Sequence, residues 1–127
     1  MRLPLMIASA LIFGYVGLSH ADSNAALIAD VQVKRDSPDQ AGIFHISVTI
    51  EHEDQGWDDY VESWEVFGPD GEVLAIRPFF KPELERKKTV SALSGVIIPE
   101  DIKTVTVRAR NYPNGLEGTP VEVSIPH

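Results

Sequence analysis

Cysteine is absent from the 127-residue sequence, and its absence excludes several classes of protein. Without thiols there is no disulfide framework, no thiolate chemistry and no zinc-finger site. A lipid anchor attached through a cysteine is excluded for the same reason. A domain of this kind must be stabilised by its apolar core, so its apolar residues should follow a regular pattern along the chain.

Basic residues are also scarce, with 11 Lys and Arg against 19 Asp and Glu and a formal net charge of −8. This charge opposes binding to nucleic acid and to anionic membrane surfaces. We therefore expect no nucleic-acid partner. We also expect no membrane insertion once the N-terminal segment described next has been removed. The charge instead favours solubility or a cationic partner.

The first 21 residues have the pattern of a signal peptide that is cleaved on export. Arg2 supplies a positive charge, and residues 5–18 form an apolar segment that is too short to span a bilayer. Ser19 and Ala21 place small residues at the −3 and −1 positions of a cleavage site. The alternative is an uncleaved membrane anchor. If the signal peptide is cleaved, we expect the protein to be periplasmic or secreted. The remaining residues 22–127 would form a single domain with 10 basic and 19 acidic side chains.

Alternating apolar residues predict seven short β-strands and no helix. The first strand would bury one face formed by Leu27, Ala29, Val31 and Val33. The second would bury Phe44, Ile46, Val48 and Ile50. The third is expected to place Trp64 and Val66 on one face and Val61 and Glu65 on the other.

Turn-forming residues separate these strands. Gly68-Pro69-Asp70-Gly71 predicts a tight hairpin turn, and Ser94-Gly95 predicts a bulge or a bend. Residues 112–118 are expected to form a turn-rich loop before the last strand. The whole pattern predicts an all-β fold, an immunoglobulin- or fibronectin-III-like antiparallel sandwich of about seven strands. Other sandwich topologies remain the alternative.

Strand directions in such a sandwich bring three loops together at one end, residues 52–59, 79–83 and 111–118. We call this end the rim. It is the predicted ligand-binding site, and its candidate residues are His52, Trp57, Asp58, Asp59, Tyr60, Tyr112 and Asn114.

His52 continues the inward-facing positions of the second strand, so it should lie at the edge of the core. Together with Asp58 and Asp59 it could bind a divalent metal ion through nitrogen and oxygen ligands. In the alternative, His52 hydrogen-bonds a loop carboxylate or carbonyl and holds the loop in place. The carboxylates, which do not have EF-hand spacing, would then belong to a solvated acidic loop.

Trp57 follows Gly56 at the loop tip and would either contact a partner or a sugar or fold back to cap the sandwich. The sequence has no Ser-His-Asp order, phosphate-binding glycine loop or dinucleotide fingerprint, so no catalytic residues are predicted. We predict a monomeric, non-enzymatic binding or accessory domain for an unidentified protein or small ligand. A metal-binding protein is the alternative, and a hydrolase comes third.

Short motifs in the mature chain resemble a family of small exported bacterial proteins of uncharacterised function. They are His52, Gly56-Trp57-Asp58 with Tyr60, Trp64, Pro69-Asp70-Gly71 with Val73-Leu74, and Leu93-Ser94-Gly95-Val96 with Ile98-Pro99. The resemblance implies further histidines in the rim loops and hence a metal site. This sequence keeps His52 but has other residues at those places, namely Asp59, Lys81, Glu83 and Asn114. For this chain the resemblance therefore implies either a harder cation bound through oxygen or no metal.

Overall fold

The computed structural model describes residues 25–84 and 86–127. Its regular elements are seven strands, β1 (Leu27–Arg35), β2 (Ile43–Glu51), β3 (Tyr60–Phe67), β4 (Val73–Pro78), β5 (Lys88–Ile97), β6 (Thr104–Tyr112) and β7 (Gly115–Ser124). The predicted signal peptide lies outside the described residues. Within the part of the chain that is described, no helix is long and apolar enough to cross a membrane.

The strands form two sheets in which all paired neighbours are antiparallel, one of order β1-β2-β5 and one of order β4-β3-β6-β7. β4 pairs with β3, so it extends the second sheet as strand C′ does in an immunoglobulin variable domain. The predicted immunoglobulin- or fibronectin-III-like sandwich is confirmed. In this topology β2 and β6 end, and β3 begins, at the same end of the molecule.

The core between the sheets follows the period-two alternation of the strands. β2 buries the four residues predicted for it, and β6 buries Val105, Val107 and Ala109 in the same way. Trp64 on β3 is fully buried, and its indole Nε1 donates a hydrogen bond of 2.8 Å to Ser91 Oγ. The only polar atom of the Trp64 side chain is therefore satisfied inside the core.

The predicted inward face of β1 is wrong in its first half. The pairing with β2 shifts register between Ile28 and Asp30, and Ile28 is buried whereas Leu27 and Ala29 are exposed. A one-residue shift moves the side chains that precede it to the opposite face of the sheet. Val31, which lies beyond the shift, packs against the core as expected.

A second register shift overturns the prediction for Val61. The pairing of β3 with β6 is irregular between Val61 and Ser63, and Val61 joins Trp64 in the core. Glu65, which was predicted to share a face with Val61, hydrogen-bonds Arg110 instead. The two residues therefore have different environments, although both are buried.

The predicted loop over residues 112–118 is much shorter than expected. Only Pro113 and Asn114 separate β6 from β7, and Gly115 already belongs to β7. A side chain on Gly118 would place its Cβ 2.6 Å from the carbonyl oxygen of Ala26. Glycine is therefore required where β7 passes close to the backbone of Ala26.

Candidate functional site

The three loops of the rim converge as the strand directions predicted. Tyr60 at the start of β3 pairs with Tyr112 at the end of β6, which places the loop 52–59 beside the β6–β7 turn. The backbone N–H of Glu83 donates a hydrogen bond of 2.9 Å to Asp54 Oδ2, which attaches the loop 79–83 to the same end.

His52 and Asp54 form the buried side of this site. The His52 side chain is only 1% exposed, and its Nδ1 lies 2.5 Å from Asp54 Oδ1. Asp54 also accepts backbone hydrogen bonds from Val61 at 3.4 Å and from Glu83 at 2.9 Å. We call this arrangement of four residues the loop junction, because one carboxylate joins the end of β2, the start of β3 and the loop 79–83. It corresponds to the alternative in which His52 hydrogen-bonds a loop carboxylate.

The other ring nitrogen of His52 faces a second carboxylate. His52 Nε2 lies 3.4 Å from Asp59 Oδ1, and it has no hydrogen-bond partner among the described residues. Asp59 Oδ1 accepts a hydrogen bond of 2.9 Å from Asn111 Nδ2, while Asn111 Oδ1 is buried and lacks a partner in the described part of the chain. Two buried polar atoms close to one carboxylate mark this cluster as a place for a water molecule or a cation.

Asp58, the remaining predicted metal ligand, is exposed at the loop tip. The structure therefore brings together His52 and Asp59 of the three residues predicted to bind metal. Over residues 25–84 and 86–127, no group of three or more His, Asp or Glu side chains is arranged to hold a metal ion.

Three aromatic rings form the exposed side of the site, and we call them the aromatic ladder. The ring centroids of Trp57 and Tyr60 are 5.5 Å apart, and those of Tyr60 and Tyr112 are 6.0 Å apart. Trp57 is 63% exposed and Tyr112 is 45% exposed. The exposure of Trp57 corresponds to the alternative in which this side chain contacts a partner.

A tight turn presents Trp57 and Asp58 to solvent. The Gln55 N–H donates to the Asp59 carbonyl at 2.8 Å, and the Asp59 N–H donates to the Gly56 carbonyl at 3.2 Å. Gly56 has a φ of 126°, a conformation that residues with a side chain rarely adopt. Glycine at this position therefore lets the chain turn between the buried and the exposed part of the loop.

A small cavity lies beside the loop junction. Its wall is formed by Ile50, His52, Asp54, Val61, Phe79, Lys81, Glu83, Arg86 and Thr89. It leaves about 20 Å³ for the centre of a water molecule, which is room for about one water.

Arg110 is the basic residue that precedes Tyr112 by two positions on β6, and its charge is already paired. Its Nε donates a hydrogen bond of 2.7 Å to Glu65 Oε2. This hydrogen bond, followed by the Coulombic attraction of Glu65 and Glu62, holds the pKa of Arg110 above its ordinary value, although burial opposes the shift. Arg110 therefore does not oppose the binding of a cation near Tyr112 as strongly as an unpaired arginine would.

Asn111 was missed at the sequence level, and Asp54, which was expected to belong to a solvated acidic loop, is buried instead. Asn111 occupies the next inward-facing position of β6 after Val105, Val107 and Ala109. A polar residue at such a position could have indicated a functional or structural role from the sequence alone. Asp54 carried no such signal, because its role depends on a contact with Glu83, 29 residues away. Asn114, which was predicted to bind ligand, lies exposed in the β6–β7 turn.

Comparison with protein-family models, with curated proteins and with solved structures finds no match to this chain. The resemblance drawn from short motifs therefore stays a prediction, and a function must be argued from the rim itself.

Proposed function

We propose that this protein is an exported, non-enzymatic binding or accessory domain that contacts its partner through the rim. The observation that carries the proposal is the aromatic ladder, in which Trp57 is 63% exposed at a loop tip. Tryptophan and tyrosine are the residues that most often dominate binding interfaces. Export to the periplasm is supported by the signal-peptide pattern of the first 21 residues.

Neighbouring strands and loops hold the rings of the aromatic ladder in place. Tyr60 and Tyr112 are paired across two central strands, and Trp57 packs edge-on against Tyr60. The loop junction fixes the other side of the same loop. Aromatic groups that are held in place before binding lose little conformational entropy when a ligand arrives, so they support affinity.

A ligand screen with two matched variants tests the proposal. The purified protein is mixed with neutral oligosaccharides, amino acids, organic cations and organic anions, and binding is followed by tryptophan emission and by the unfolding midpoint. We expect at least one class to bind, and we expect Trp57→Ala to abolish this binding. Phe80→Ala is the control, since Phe80 is 82% exposed but is not part of the ladder. Binding that is unaffected by Trp57→Ala, or no binding at all, would contradict the proposal.

A metal-binding protein is the second candidate, and the cluster around His52 favours it. When the hydrogen of the His52–Asp54 hydrogen bond is on His52 Nδ1, the other ring nitrogen, Nε2, can act as a ligand to a metal ion. Histidines that bind a metal ion through one ring nitrogen usually donate a hydrogen bond from the other ring nitrogen to a carboxylate. Two ligands that bind one ion tetrahedrally at about 2.1 Å lie about 3.4 Å apart, and His52 Nε2 and Asp59 Oδ1 are separated by 3.4 Å.

Thermal unfolding distinguishes the two candidates. After treatment with a chelator, Cu²⁺, Zn²⁺ or Ca²⁺ is added in excess. An ion that binds only the folded state raises its stability by about 2.7 kcal/mol at a hundredfold excess over the dissociation constant. His52→Ala and the milder Asp59→Asn should both remove the shift. If no ion raises the midpoint, the metal candidate is wrong.

A further inference from the structure

The first two rings of the aromatic ladder meet at a steep angle. The planes of Trp57 and Tyr60 are inclined by 73°, and the plane of Tyr112 is tilted by 39° to that of Tyr60. Solvent reaches the two outer rings, since Trp57 is 63% and Tyr112 is 45% exposed. We call the surface that these inclined rings present to solvent the corner, and a ligand can reach its two outer rings, Trp57 and Tyr112.

The charge around this corner is negative. Asp58 and Asp59 lie between the first two rings in the chain, and Asp58 is exposed. The loop 52–59 contains four Asp and Glu residues and no Lys or Arg, and Arg110 on β6 is paired with Glu65. A cation that approaches the ladder from the loop 52–59 therefore meets carboxylates and no opposing charge from this stretch.

We propose that the aromatic ladder binds a quaternary ammonium group, with the cation against the ring faces and the carboxylates of Asp58 and Asp59 nearby. The inference rests on the proposed function and adds the chemistry of the ligand. Aromatic faces carry the negative part of the ring quadrupole and attract cations, and tryptophan does so most strongly.

The absence of hydrogen-bond donors on a quaternary ammonium group suits this surface. Such a group needs ring faces and negative charge, but no aligned acceptor. A primary ammonium or a guanidinium would also require acceptors, which the exposed Asp58 carboxylate could supply. The ring faces need no such hydrogen bonds, so a methylated ammonium suits the aromatic ladder, and lysine and arginine side chains are the competing ligands that the test includes.

The test compares choline with an uncharged molecule of the same shape. The whole purified protein is titrated with choline and tetramethylammonium at constant ionic strength, and with 3,3-dimethylbutan-1-ol, in which carbon replaces the charged nitrogen of choline. Because Trp64 is fully buried, a change in tryptophan emission reports on Trp57. We expect saturable binding of both cations, and binding of the uncharged alcohol that is weaker by about tenfold or more.

Variants assign the binding to the ladder, with calorimetry as a readout that does not depend on tryptophan. We expect Tyr112→Ala to weaken choline binding about fivefold and Asp58→Asn about threefold. Phe80→Ala and Asp70→Asn are the matched controls and should leave the affinity unchanged. Asp70 is exposed in the β3–β4 turn at the opposite end of the sandwich.

The outcomes separate this inference from the proposed function. Equal binding of choline and the uncharged alcohol would overturn the inference, because charge would then contribute nothing. Binding of lysine amide or arginine amide without binding of choline would also overturn it. If a neutral oligosaccharide binds through Trp57 while choline does not, the inference is wrong and the proposed function stands. If no compound binds, both are wrong.

Discussion

The first half of the loop 52–59 has two buried side chains and the second half has two exposed ones, and the two pairs contact different groups. His52 and Asp54 in the first half are buried and make hydrogen bonds within the protein. Trp57 and Asp58 in the second half are exposed, and Gly56 turns the chain between them. One short loop can therefore serve both structure and recognition, because the residues that fix it differ from the residues that it presents. Stability and binding should respond to different substitutions.

Trp64→Ala should have the largest effect on stability. The tryptophan is fully buried and donates a hydrogen bond to Ser91, so its truncation leaves a large cavity and an unpaired hydroxyl. We expect a loss of about 3–5 kcal/mol in the free energy of unfolding, measured in urea by circular dichroism. A loss below about 1 kcal/mol would mean that the core around Trp64 is not tightly packed.

Asp54→Ala should come next, with a loss of about 3 kcal/mol. The substitution leaves His52 Nδ1 and two backbone N–H groups without their acceptor at a buried position. Asp58→Ala is the control from the second half of the loop and should change the unfolding free energy by less than about 0.5 kcal/mol. Equal effects of the two variants would remove the distinction between the halves.

Gly56→Ala should have an intermediate effect. Nothing lies within 4 Å of an added Cβ, so the cost comes from the backbone conformation at a φ of 126° alone. We expect a loss of about 1–2 kcal/mol in unfolding free energy. The altered turn should also change the emission of Trp57, whereas a purely local effect on stability would leave the emission as it is.

Trp57→Ala should have the smallest effect on stability, within about 0.5 kcal/mol of the unsubstituted protein, because the indole is largely exposed. The same variant should abolish binding at the rim. A large loss of stability instead would show that Trp57 caps the sandwich, and the aromatic ladder would then be a structural contact.

The fold could be predicted because period-two alternation is a strong signal where strands are regular. β2 shows this, since every predicted inward residue is buried and the same parity places His52 at the edge of the core. The convergence of the rim loops followed from strand direction alone. These are properties of single strands and of their order along the chain.

The register shifts and the loop junction could not be predicted. The shifts beside Ile28 and Val61 depend on pairing with neighbouring strands, and neither site contains the glycine that would have suggested a bulge. The contact between Asp54 and Glu83 depends on how two separate loops pack. Sequence patterns describe local periodicity, so they contain little information about such contacts.

The loop junction has a consequence for how this molecule could change during evolution. Asp54 binds the backbone N–H groups of Val61 and Glu83 and not their side chains. Every residue except proline supplies such a group, so the hydrogen bonds of the junction place no demand on either side chain. The side-chain constraint on the junction is concentrated in Asp54 and in its partner His52, and Gly56 adds the constraint of its backbone conformation. The exposed residues of the rim can therefore diversify toward new ligands while the loop geometry is inherited unchanged.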